Sequence, residues 1–312
     1  MNCRPISFIA LAGLLAGLAW PSAEALAQPK PTPGVARKGK LLLTGGVSSV
    51  EGPAGGGLTP WAVIGSHATG QALGATGHVT RVRTRDYALS AYGATIGWGE
   101  RAELSLARQV FDTAGTGTAL GLPGLKLKQN ILGVKVRVAG DAVLDSDTWM
   151  PQIAVGLLHK TLNAGGLAGT LDALGARRSG TDVYVSATKL LLADGLLING
   201  TLRATKANQG GLLGFGGAAH AGYRLVPEIS VAYLLRRDLA IGAEYRVKPD
   251  NLNPAAGLGA GLREDDWKDV FIAWAPNKNF SLTLAYVDLG SIVPAVVPKR
   301  QTGAYLSTQI SY

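Results

Sequence analysis

Apolar residues are plentiful along this chain, yet after residue 27 they never run far enough to cross a bilayer as a helix, which takes roughly 20 residues. The 312-residue sequence is 47% hydrophobic and only 16% charged. Its apolar residues alternate instead. In QNILGVKVRV, Leu132, Val134, Val136 and Val138 stand opposite Gly133, Lys135 and Arg137. A helix would set Lys135 and Val138 on one stripe; alternation separates them, so the period is two. Short alternating segments in a membrane-like composition point to strands closed into a barrel, the one sheet structure that satisfies its backbone in lipid.

The same pattern recurs from Lys40 onward. Leu104 and Leu106 oppose Glu103 and Ser105; Ile198, Gly200, Leu202 and Ala204 oppose Asn199, Thr201, Arg203 and Thr205; Ile241, Ala243 and Tyr245 oppose Gly242, Glu244 and Arg246. Tight turns near residues 99, 194, 237 and 277 separate long segments at 112–125, 163–180, 207–225, 249–265 and 289–301. That asymmetry predicts short periplasmic turns and long outer loops. The expectation is an all-β, antiparallel transmembrane β-barrel of about fourteen strands with both termini periplasmic. Twelve strands is the alternative, because the pattern before residue 85 is weak.

The chain opens with Arg4, an apolar run from Ile6 to Trp20, and Ala25-Leu26-Ala27. This reads as a Sec-type export signal (1–27) cleaved near Ala27, with a basic Pro-rich periplasmic linker (28–39) and the barrel (40–312) following. The expected location is the outer membrane of a Gram-negative cell. Cys3, the only cysteine, falls inside the leader, so the mature chain has no disulfide.

Side-chain type then suggests two sets of functional residues. Glu103, Lys135, Arg137, Arg203, Glu228, Glu244 and Arg246 fall on the predicted inward face. They stabilise the wall by cross-strand pairing, such as Glu228 with Arg203 or Arg246, or form a charged constriction that selects ions. Small inward residues, including Ala154, Gly156, Gly242 and Thr283, argue for an unfilled interior. Aromatics are expected in two membrane-interface girdles: Trp98, Trp149, Trp274, Phe280 and Tyr312 on the periplasmic side, and Trp61, Tyr87, Phe111 and Trp267 on the outer side.

No motif for catalysis stands up. Gly34 to Lys40 matches most of a phosphate-binding loop, but Leu41 replaces the hydroxyl residue and no strand precedes it. His67, His78, His159 and His220 lack metal-ligand spacing. His78-Val79-Thr80 lacks the serine of a His-x-Ser hydrolase arrangement, and a grouping of His159 and His220 with Asp172 or Asp182 is weak. No catalytic residue, metal or cofactor is assigned, and nucleic acid is not an expected partner. The net charge of +9, with Arg177, Arg178, Lys206, Lys299 and Arg300 near outer loops, suggests contact with anionic membrane lipid and lipopolysaccharide.

Two resemblances add to this reading. QTGAYLSTQISY, ending on Tyr312, resembles the C-terminal signal recognised by outer-membrane assembly machinery. GKLLLTGGVSSVEGPAGGGLTPWAVIG (Gly39 to Gly65), DVYVSATKLLLA (Asp182 to Ala193), LLGFGG (Leu212 to Gly217) and AIGAEYRVKPDNL (Ala240 to Leu252) resemble an uncharacterised proteobacterial family of predicted outer-membrane proteins, a domain of unknown function. The resemblance implies a compartment and no activity. The expected function is a porin-like passive channel for small hydrophilic or anionic solutes. A structural or lipopolysaccharide-contacting barrel without transport is the alternative, ahead of an apolar-solute transporter or an outer-membrane hydrolase.

Overall fold

The computed structural model describes residues 40–67, 69–70, 72–142 and 149–312. The expected leader and linker lie outside these residues. Twelve antiparallel strands form a closed barrel, each bonded to its neighbours in sequence. They are β3 (Leu73–Thr84), β4 (Ala88–Trp98), β5 (Ala102–Asp112), β6 (Lys126–Ala139), β7 (Gln152–Asn163) and β8 (Ser179–Leu191). β9 (Leu196–Thr205), β10 (Arg224–Arg236), β11 (Leu239–Arg246), β12 (Trp267–Asn277), β13 (Phe280–Asp288) and β14 (Thr302–Ser311) complete the wall. β14 pairs with β3 from Gly303↔Thr84 to Ser311↔Thr76, which removes the sheet edges.

Alternation sets the two faces. Along β6 every second residue from Leu127 to Lys135 is buried, while Leu132, Val134 and Val136 are exposed. The outward positions of the other strands carry Leu104, Leu157, Val185, Ile229, Ile272 and Leu284, all exposed. The result is an apolar belt of an extent rare on water-exposed proteins.

Twelve strands replace the expected fourteen because the stretch from Lys40 to Ser66 never joins the wall. It carries a two-residue pairing of β1 (Val47–Ser48) with β2 (Ala54–Gly55) and a single bridge between Gly55 and Pro60. Its Gly-rich turns fold it into a compact plug, and from Leu42 onward its residues are buried or nearly so. The barrel therefore begins at Leu73 rather than Lys40, and its interior is filled. Some of the small inward residues make room for larger neighbours: a Cβ on Gly156 would lie 2.2 Å from the Tyr184 ring, and one on Gly242 would lie 2.4 Å from Phe271.

The interior has three levels. At the tight-turn end Leu43, Val47 and Trp61 of the plug pack against Leu190, Leu197 and Phe271 of the wall. At the opposite end the long loops, with helices α1 (Ala114–Ala119) and α2 (Ala168–Ala173), gather Tyr87, Phe111, Leu127, Leu171, Leu212 and Ile292 into an apolar cap. Between them lies a polar waist.

Candidate functional site: the occupied lumen

The plug meets that waist almost entirely through polar contacts. Trp61 Nε1 donates to Ser230 at 3.0 Å, Ala62 N to Thr188 at 2.8 Å, and Gln152 Nε2 to the Ala62 carbonyl at 2.6 Å. Ser186 and Thr201 both donate to the Pro60 carbonyl. Backbone groups that cannot pair within so irregular a segment thus find partners on the wall, as burial demands.

Glu103 and Lys135 are directly opposite one another on β5 and β6 and lie 3.1 Å apart, both fully enclosed. Glu103 also accepts from Ala54 N and Gly65 N, and Lys135 donates to the carbonyls of Ala54 and Trp61. Glu244 accepts from Leu58 N at 2.8 Å, from the Thr59 hydroxyl at 2.5 Å and from Ser230 at 2.8 Å. Each carboxylate is a socket for one turn of the plug.

The largest cluster sits beneath the loop cap. Lys160 on β7, Asp182 on β8, Arg203 on β9, Glu228 on β10 and Arg246 on β11 supply one charge each from five consecutive strands, alternating in sign. Lys160 bonds Asp182 at 2.7 Å; Arg203 bonds Asp182 at 3.2 Å and Glu228 at 2.5 Å; Arg246 lies 3.5 Å from Glu228, its register partner. The plug adds Glu51. Its Oε1 accepts from Lys160 at 2.5 Å and Arg246 at 3.0 Å, and its Oε2 from Arg203 at 2.9 Å. Burial alone would raise the Glu51 carboxyl, but Arg203, Arg246 and Lys160 hold it well below the usual carboxylate range.

Six of the seven charged residues expected to face inward are buried in the lumen; Arg137 is half-buried and pairs with Asp141 in the following turn at 3.2 Å. Lys160, Asp182 and Glu51 were absent from that set. Lys160 shares strand parity with the inward Ala154 and Gly156, so alternation could have found it. Glu51 lies in the plug, where no periodicity points anywhere.

Four aromatics expected at the outer girdle lie inside. Trp61 belongs to the plug; Tyr87 stacks on Phe111 at 5.3 Å within the loop cap; Trp267 is buried beside Arg246 and Lys248. Phe111 has the parity of Glu103 and Trp267 that of Asp269, which is why both turn inward. Trp98, Trp149, Trp274 and Tyr312 are exposed at the tight-turn end, and Phe280 is half-buried there. His159 faces outward and bonds Thr181 at 3.0 Å, whereas Asp182 is buried in the lumen cluster.

Solved structures of similar architecture are outer-membrane barrels. They include the KdgM porin (10% identity, TM-score 0.46, covering 76% of this chain and 99% of that one). The NanC porin gives 9% identity, a TM-score of 0.47 and coverage of 77% and 99%. Outer membrane phospholipase A from Escherichia coli gives 9%, 0.42, and coverage of 75% and 92%. No curated protein matches the sequence. A family model does, over residues 44–309, which takes in nearly the whole plug together with the wall. The chain belongs to the family of proteins of unknown function DUF3034.

Proposed function

We propose that this protein is an outer-membrane channel for small hydrophilic solutes, held shut in this conformation by residues 40–66 and opened when that plug leaves the lumen. The observation that carries the reading is the chemistry of the wall behind the plug. A barrel that only needed filling could use Leu and Phe, since well-packed apolar side chains replace buried ion pairs at no loss of stability. Here the waist presents Glu103, Lys135, Asp182, Arg203, Glu228 and Arg246 among Ser and Thr hydroxyls. With the plug displaced, such a wall wets and conducts; an apolar wall would not.

In this reading the apolar belt spans the bilayer and the tight-turn end, where the plug enters, faces the periplasm. No catalytic residue and no cofactor is assigned. Outward Arg81, Arg83, Arg108 and Lys128, all exposed near the loop end, support contact with lipopolysaccharide phosphates.

Conductance in planar bilayers tests the reading. The refolded wild type should be mostly closed. Gly55→Ala should open it, because a Cβ there would lie 2.0 Å from the Thr59 carbonyl oxygen and 2.9 Å from Pro60 Cα, both within the plug's own turn. Silence from both proteins, with folding shown by heat-modifiable migration, would leave a closed structural barrel instead.

A further inference from the structure

We propose that Glu51 is a tethered surrogate for the solute, and that Lys160, Arg203 and Arg246 form a lumen site that takes a carboxylate once the plug withdraws. For the solute's access this rests on the gated-channel reading above.

Charge balance comes first. The five-strand ladder holds three cations, Lys160, Arg203 and Arg246, against two anions, Asp182 and Glu228. It is therefore one positive charge in excess, and Glu51 supplies the missing negative charge. Once the plug withdraws the ladder is wetted, but its excess positive charge is focused within the lumen and still attracts an anion. A monoanion neutralises it, whereas a dianionic phosphate would leave it negative.

Geometry narrows the class further. Both oxygens of a single carboxylate are engaged, by donors from three separate strands, at 2.5, 2.9 and 3.0 Å. The wall holds most of these donors in place, although Arg246 also donates to the Leu58 carbonyl of the plug at 3.1 Å. Arg203 is fixed by Glu228 and Asp182 and lies 5.7 Å from the centre of the Tyr184 ring; Lys160 is fixed by Asp182; Arg246 lies 5.4 Å from the Trp267 ring. Most of the arrangement therefore survives withdrawal of the plug. A site pre-organised in this way binds without the cost of ordering its side chains. Its ligand is a solute bearing one carboxylate, which enters by replacing Glu51 and, while bound, keeps the plug from closing.

The test is chemical rescue of the refolded full chain in detergent. Glu51→Ala removes the tethered carboxylate and leaves its space. Unfolding midpoints, read by heat-modifiable migration, are compared in sodium propionate and in sodium chloride with propionamide at equal ionic strength. Propionate should raise the midpoint of the variant by about 3 °C or more at roughly tenfold its dissociation constant, and propionamide should not. The wild type, whose site is filled, should respond to neither. Equal midpoints in the two solutes overturn the proposal. If Glu51→Ala does not refold, Glu51→Ser takes its place; failure of both to refold even in propionate also overturns it, because a site built for a carboxylate accepts one that is untethered. Rescue requires no conduction. Bilayer silence beside a rescued variant would remove the channel and leave the anion site, while conduction without rescue would do the reverse.

Discussion

Glu51→Gln isolates the charge of the plug from its shape. The amide fills the same volume, but three buried cations would then face only the two wall carboxylates of Asp182 and Glu228. Its NH2 group would also turn a donor toward Lys160 or Arg203, which can only donate. Removing one partner of a buried ion pair costs about 3–5 kcal/mol. With the plug displaced these groups are in water, so nearly all of that cost falls on docking. At about 1.4 kcal/mol per factor of ten, the undocked fraction should rise by roughly 10²-fold to several thousand-fold. A cysteine at Ser49 reads this directly. Ser49 is 1% exposed, and its hydroxyl has no hydrogen-bond partner among the described residues, so the exchange removes no bond. Cys3 is the only cysteine to replace. Maleimide labelling then follows the open population as long as re-docking outpaces the reaction. A gain below about tenfold would show that Glu51 does not anchor the plug, and the energetic argument would fail.

The same anchor fixes a pH response. Because the folded pKa of Glu51 is depressed, its contribution is complete above the ordinary carboxylate pKa of about 4.3 and is lost only as pH falls through the lower folded value. The difference in open probability between wild type and Glu51→Gln should therefore be flat from pH 8 to about 5 and shrink in stronger acid; a difference that shrinks near pH 6 would refute this. Lys135→Met leaves Glu103 buried without its cation and should lower stability by about 3–5 kcal/mol. The double variant Glu103→Gln, Lys135→Met should cost less than the sum of the two single changes, as unfolding midpoints would reveal. Deleting Tyr312 removes two rungs from the closing seam, its N–H to the Ala75 carbonyl at 2.7 Å and the reverse bond at 2.9 Å. Levels of assembled barrel in the membrane should drop, and undiminished levels would count against a role for this residue in assembly.

The wall was legible in the sequence because it is periodic. β5, β6, β9 and β11 follow from alternation alone, and the long segments from 112–125 to 289–301 fall between strands as read. Side-chain type misled where it was allowed to outvote parity. Phe111 and Trp267 look like girdle aromatics by composition, yet each lies an even number of residues from an inward carboxylate. Lys160 and Asp182 were recoverable by the same count. The plug was not. GGVSSVEGPAGGGLTP has no period, since a segment that fills a cavity is shaped by the cavity's wall rather than by its own backbone geometry. The three-way contact at Glu51 arises from three strands far apart in sequence, and only closure of the barrel brings them together.

Only residues 67–72 join the end of the plug to the first barrel strand. Six residues reach about 20 Å when fully extended. A displaced plug therefore remains on a short leash at the mouth it has left, at an effective concentration that a short linker sets in the millimolar range. On the gated-channel reading each opening carries its own closure with it. On that reading the protein needs no second molecule to reseal the membrane, and with no solute on the three cations the time it stays open is set by how fast the leash returns Glu51 to them.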